Sequence, residues 1–86
     1  MYKKIEIEFK LIDEAKNILT IKEIEVLTYI LQVLSVSEIS KLRWRSIKTI
    51  LAQKRSAYEK LDIKADALLT KKLFERNLVK IYKKHN

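Results

Sequence analysis

Seven cationic side chains crowd residues 41–60. They are Lys41, Arg43, Arg45, Lys48, Lys54, Arg55 and Lys60, set against the single acid Glu59, a net of +6. Lysine and arginine at this density neutralise phosphates, and a guanidinium can also bond the O6 and N7 of a guanine together. Ser46, Thr49 and Gln53 lie among them and offer hydroxyl or amide donors to phosphate oxygens. Helix capping and surface polarity would use the same three residues, and for Ser46 both roles can hold at once. The chemistry on offer is recognition of a polyanion.

Catalysis has little raw material by comparison. The chain has no Gly, so neither a phosphate-cradling P-loop nor a dinucleotide fingerprint can form. It has no Cys and one His, His85, so neither a Cys/His metal site nor a histidine-dependent triad is available. No enzyme, cofactor or metal is expected.

The charge is segregated along the chain. Residues 1–40 hold five Lys against seven Asp/Glu, a net of −2, whereas residues 71–86 hold six Lys/Arg against Glu75, a net of +5. Segregation of this kind is the electrostatic footprint of a nucleic-acid binder, with simple solubilisation as the plain alternative. The 86 residues suffice for one small domain. No apolar run could span a membrane, and "MYKKIEIEFK" lacks the apolar middle of a signal peptide, so a cytoplasmic location is expected.

The elements that must position these cations read as four helices. The first starts at "TIKE", where Thr20 and Glu23 form a capping box, and Ile24, Leu27, Ile30, Leu31 and Leu34 follow at the spacing of a buried face. The second is short, over 36–42, with Ser35 and Glu38 as its capping box and Ile39 inward. Ser46 caps the third, whose stripe of Ile47, Ile50, Leu51, Ala57, Tyr58 and Leu61 runs inward to position 61. Sixteen residues would make it about 24 Å long, enough to cross a major groove. After "DIKAD" a long fourth helix is expected over 65–83.

The first 18 residues read two ways. Ile5, Ile7, Phe9 and Leu11 alternate with charged residues as in a strand, yet Tyr2, Ile5, Phe9 and Ile12 also fit one helix face. A strand here would need a partner, which on this reading comes from a second copy or another protein. The chain therefore divides into an N-terminal segment, 1–18, and a domain over 19–86.

Together, "LTIKEIEVL", "LSVSEIS", "RSIKTI" and "YEKL" resemble the helix-turn-helix domain of the LuxR/GerE (FixJ–NarL) family of transcription regulators. The matching positions are Leu19–Thr20, Glu23, Glu25–Val26–Leu27, Ser35, Glu38–Ile39, Ser46, Thr49–Ile50 and Lys60–Leu61. The run from Arg45 to Leu61 is most similar to the RcsB-like subgroup. The resemblance covers residues 19–69 and implies an all-α fold: a four-helix LuxR-type helix-turn-helix domain. Some positions depart from it. Val33 and Asp62 stand where the family usually has Gly for a left-handed helix end, a conformation Asp tolerates better than Val, so the first turn is expected to be reshaped. Ser40 replaces the usual Ala. Arg43 occupies a usually apolar position, so Leu42 or Trp44 is expected in the core in its place.

The resemblance implies a sequence-specific, DNA-binding transcriptional regulator whose third helix enters the major groove of double-stranded DNA. Transferred by position, the base-reading candidates are Leu51, Ala52 and Arg55, with Lys48 and Lys54 near the edges. Leu51 could read a thymine methyl or turn inward and pack. Phosphate candidates are Lys41, Arg43, Arg45, Ser46, Thr49, Gln53, Lys54 and Lys60. Trp44 is expected to pack, with an indole N–H contact to phosphate as the lesser role. If six or so phosphates are neutralised, the log–log salt slope should be about −5.

The resembled family often dimerises through its fourth helix. Here Leu78, Ile81 and Tyr82 would stay wet on that helix unless a second chain covered them, so a homodimer or a heterodimer with a related regulator is expected. Full-length members usually carry a receiver or ligand-binding domain, which 18 residues cannot supply. That leaves a stand-alone regulator, a truncated piece or a partner subunit. The alternative function is an interaction module that binds and modulates another regulator or RNA polymerase.

Overall fold

In the computed structural model the chain is described over residues 5–85, with side chains over 11–80. Six elements follow one another: β1 (Ile5–Leu11), α1 (Ile21–Leu31), α2 (Val36–Arg43), α3 (Ile47–Leu61), α4 (Leu69–Glu75) and β2 (Val79–His85). One-turn 3-10 segments, Asp13–Asn17 and Asp66–Leu68, lead into α1 and α4. The body is the expected all-α helix-turn-helix domain, with four helices and α2 and α3 joined by a three-residue turn. Among the described residues no helix is long and apolar enough to cross a membrane.

The helix starts form where the local chemistry places them. Thr20 and Glu23 close a reciprocal capping box, at 3.2 Å from the Glu23 amide to Thr20 Oγ1 and 2.8 Å from the Thr20 amide to Glu23 Oε1. Ser35 and Glu38 repeat it at the start of α2. Ser46 accepts from the Thr49 amide at 3.1 Å at the start of α3.

The helix ends are less ordinary. Val33, Trp44, Asp62 and Asn77 all adopt positive φ, at 65°, 53°, 56° and 55°. Each follows a helix whose carbonyls are closed by the next amides, as in Leu34 N to Tyr29 O and Ile63 N to Tyr58 O. A chain without Gly thus uses four side-chain-bearing residues where Gly is the easy choice. The expected reshaping of the first turn does not occur: Val33 simply takes the left-handed conformation. A β-branched residue there is strained, and Val33 is 89% exposed, so its side chain recovers little by packing. Val33→Gly should raise stability by about 1 kcal/mol, after allowing for the extra freedom of Gly in the unfolded chain. A urea unfolding curve checks it, and an unchanged or lowered midpoint would refute the strain.

The expected long fourth helix is corrected by the structure. α4 ends at Glu75 because Asn77 turns left-handed and the Leu78 amide closes back on the Leu73 carbonyl. Residues 79–85 then run as β2, antiparallel to β1, in the register Leu11↔Val79, Phe9↔Ile81 and Ile5↔His85. The N-terminal segment is therefore a strand followed by a 3-10 turn, and its partner is the end of the same chain. The division at residue 18 does not separate two bodies. Ile12 N donates to Leu78 O, and Ala15 and Leu19 join Leu27, Ala57, Leu61, Leu69, Leu73, Leu78 and Val79 in one buried cluster.

A second buried cluster, Val26, Ile39 and Ile50, seats α2 between α1 and α3. Neither Leu42 nor Trp44 enters the core in place of Arg43, as both are exposed. Arg43 instead lies half-buried against Glu25 of α1 in an ion pair, so charge pairing does what an apolar side chain would have done there.

Candidate nucleic-acid interface

α3 carries two faces and divides its charges between them. Ile50, Ala57 and Leu61 are buried, while Lys48, Ala52, Arg55 and Glu59 are exposed at intervals of four, three and four residues. That spacing lines one side of a helix. The exposed stripe is basic over its first turns and acidic only at Glu59, so its positive potential is concentrated at the end nearest the turn.

The turn itself is pinned. Arg45 N donates to the Ser40 carbonyl at 3.1 Å, and the Ser40 hydroxyl donates to the Arg45 carbonyl. Ser40 thus uses its hydroxyl to hold the corner. Lys41 and Arg45 are exposed beside it. Lys41, Arg45, Lys48 and Arg55 carry no ion pair among the described residues, and all four are open to an external anion.

The other three cations have internal partners. Lys60 Nζ lies 2.8 Å from Glu23 Oε1, while Ser56 donates to Glu23 Oε2, so both side chains face α1. Lys54 Nζ lies 3.0 Å from Asp66 Oδ1 and 5.4 Å from the Tyr58 ring centroid, and Tyr58 donates to the same Asp66 oxygen at 2.9 Å. Arg43 is held by Glu25.

These pairings set the carboxylates' protonation. Burial pushes the Glu23 carboxyl up, but hydrogen bonds from Lys60, Ser56 and the Thr20 amide outweigh it and bring it to about 2. Hydrogen bonds from Lys54 and Tyr58 hold the Asp66 carboxyl below its ordinary value. Burial, and then the Asp66 carboxylate, push the Tyr58 phenol up. Both acids stay ionised at neutral pH and keep their cations occupied.

The remaining candidates fall between these groups. Ser46 Oγ and Thr49 Oγ1 lie 2.9 Å apart and exposed, with Ser46 also the helix cap. Gln53 is half-buried on the flank. Leu51 is also half-buried and lines a cleft with Lys54, Tyr58, Ile63 and Asp66, so it is neither core nor fully presented. Leu78, expected at a dimer interface, is buried within this chain instead, because the strand β2 begins beside it and carries the chain across the core. Ile81 and Tyr82 lie on β2, and their side chains fall outside the described residues.

Trp44 was not expected at the surface. It is 93% exposed, at the corner between α2 and α3, and it is the only Trp of the chain. Glu23 was expected as a cap and nothing more. Its position on the inward side of α1, four residues before the buried Leu27, was the available signal that its carboxylate would reach α3.

Comparison with known proteins gives one informative relative. Over 54 residues, 63% of the chain, the sequence is 50% identical to the uncharacterized HTH-type transcriptional regulator YuaB of Escherichia coli (strain K12). The likeness is to a helix-turn-helix regulator. The match spans 15% of that protein's length. No family model matches the chain, and no solved structure matches it.

Proposed function

We propose that the chain is the DNA-binding part of a transcriptional regulator, with α3 in the major groove. The observation that carries this reading is the exposed stripe Lys48–Ala52–Arg55, together with the exposed Lys41 and Arg45 at the turn, which have no ion pair among the described residues. Half a relative's identity over the matched residues supports it, since that relative is named as a regulator of the same helix class. On this reading the exposed side of α3 from Lys48 to Arg55 faces base edges. Arg55 reads a guanine, Ala52 and Leu51 offer apolar contact to a thymine methyl, and Lys48 borders the groove. Lys41, Arg45, Ser46 and Thr49 hold phosphates. Arg43, Lys54, Gln53 and Lys60 serve packing and orientation first. The LuxR-type assignment, closest to the RcsB-like subgroup, rests on the spacing of motifs across the three helices.

Dimerisation belongs to the same proposal, by a different route from the fourth helix. Among the described residues the two-stranded ribbon leaves the outer edge of each strand unpaired, and a two-stranded pair is marginal by itself. A second copy adding through β2, where Ile81 and Tyr82 lie, would extend the sheet and set two recognition helices on one duplex. The same open edges favour the second reading, a module that adds its ribbon to another regulator or to RNA polymerase.

Selection from a random duplex library with the purified chain tests both. An enriched motif with two related halves supports a dimeric sequence reader, and no enrichment favours the interaction module. On the enriched site, Arg55→Ala should cost about 1–3 kcal/mol and blur one base position. An equal loss on all sequences would reassign Arg55 to phosphate.

A further inference from the structure

We infer that Trp44 is a sugar–phosphate contact that clamps the recognition helix at the groove wall, an inference that rests on the DNA-binding reading above. Large aromatic side chains on a small domain are normally at least half-covered, and Trp is enriched where two molecules meet. Trp44 is 93% exposed instead. Its backbone is left-handed, at φ 53° and ψ 40°, a conformation that favours Gly or Asn over a bulky side chain. Val33 is left-handed and exposed as well, so what sets Trp44 apart is the uncovered indole rather than the strain.

The surroundings name the occupant. Lys41 and Arg45 are exposed on either side in sequence, and Lys48 is the second residue of α3, so the indole stands within a basic border that only an anionic surface complements. Trp44 precedes the α3 cap, Ser46, by two residues. With the start of α3 inserted in the groove, that position meets the backbone strand rather than the bases. Indole Nε1–H is a donor with no acceptor, and phosphate oxygens are acceptors only, while the ring has an apolar face for deoxyribose. The Ser40 hydrogen bonds to both backbone groups of Arg45 hold the corner, so the backbone that carries the ring is set before binding.

The test uses the full chain and the duplex enriched by selection, with an unrelated duplex beside it. Trp44 emission, the chain's only indole signal, should shift on titration with either duplex. Trp44→Gly should weaken both about tenfold, equivalent to about 1.4 kcal/mol, and leave the salt slope unchanged because no charge is lost. Arg45→Ala should instead lower the slope by about 1. Trp44→Gly also relieves the left-handed residue, so its melting temperature should rise while its affinity falls, which separates lost contact from lost fold.

If the wild-type chain binds no duplex, the DNA-binding reading and this inference fall together. Duplex binding with unmoved emission and full affinity for Trp44→Gly overturns the inference alone. Protection of Trp44 by RNA polymerase but not by duplex would overturn it in favour of a protein partner.

Discussion

Glu23→Ala should destabilise the chain by about 3 kcal/mol at pH 7, the largest single loss expected from any surface-reaching side chain. The carboxylate is 4% exposed and accepts from the Thr20 amide, Ser56 and Lys60 together. Removing it leaves one cap unmade, one half-buried hydroxyl without this acceptor and one cation without its partner. Lys60 keeps a route to water, which holds the loss at the lower end of what breaking a buried pair costs, about 3–5 kcal/mol. Glu23→Gln should retain the cap, lose the charge and fall between the two.

Acid should reproduce the effect without mutation. The carboxyl titrates near 4.5 when free and at about 2 in the folded chain, so the folded state binds this proton less readily. Its stabilisation is fully present above the free value and is lost as pH falls through the window from about 5 to 2, up to about 3 kcal/mol. Urea midpoints at pH 7 and pH 3 for wild type and Glu23→Gln measure it. A pH dependence equal in the two proteins would show that Glu23 does not link α1 to α3.

The second large effect is on DNA affinity in salt. Lys41, Arg45 and Lys48 are exposed and free to displace counterions, while Arg55 is assigned to a base. At a slope of about −0.9 per phosphate, binding should show a log–log slope of about −2.7, and raising salt from about 50 to 200 mM should weaken it about 40-fold. The sequence-based count of six or so contacts requires about −5. Anisotropy of a labelled duplex across that salt range decides between them. The steeper value would mean that Arg43, Lys54 and Lys60 exchange their carboxylates for phosphates on binding. A slope near −1 would refute docking in the groove.

The difference between those two counts lies in sequence distance. Arg43 pairs with Glu25, 18 positions away, and Lys60 with Glu23, 37 away. No local pattern distinguishes such a cation from Lys48 or Arg45, which have no ion-pair partner among the described residues. Residues 79–85 illustrate the same limit. Val79 and Ile81 flank Lys80 in strand alternation, but they also complete the apolar stripe of a helix begun at Leu69. What resolves the ambiguity is Asn77 turning left-handed and a complementary strand whose residues lie 68 to 80 positions before their partners.

The helix starts, the inward stripes of α1 and α3 apart from Ile47, which is exposed, and the basic character of residues 41–60 follow from the order of residues alone. All of these depend on neighbours within four or five positions, where hydrogen-bond reach and helical period are known in advance. Tertiary structure alone decided which cations are free, that Trp44 stands in solvent while Arg43 takes a packing role, and that the chain's two ends pair as a ribbon. Each of those outcomes is a choice among competing partners, and that choice is settled only when the elements pack and the buried charges must be matched.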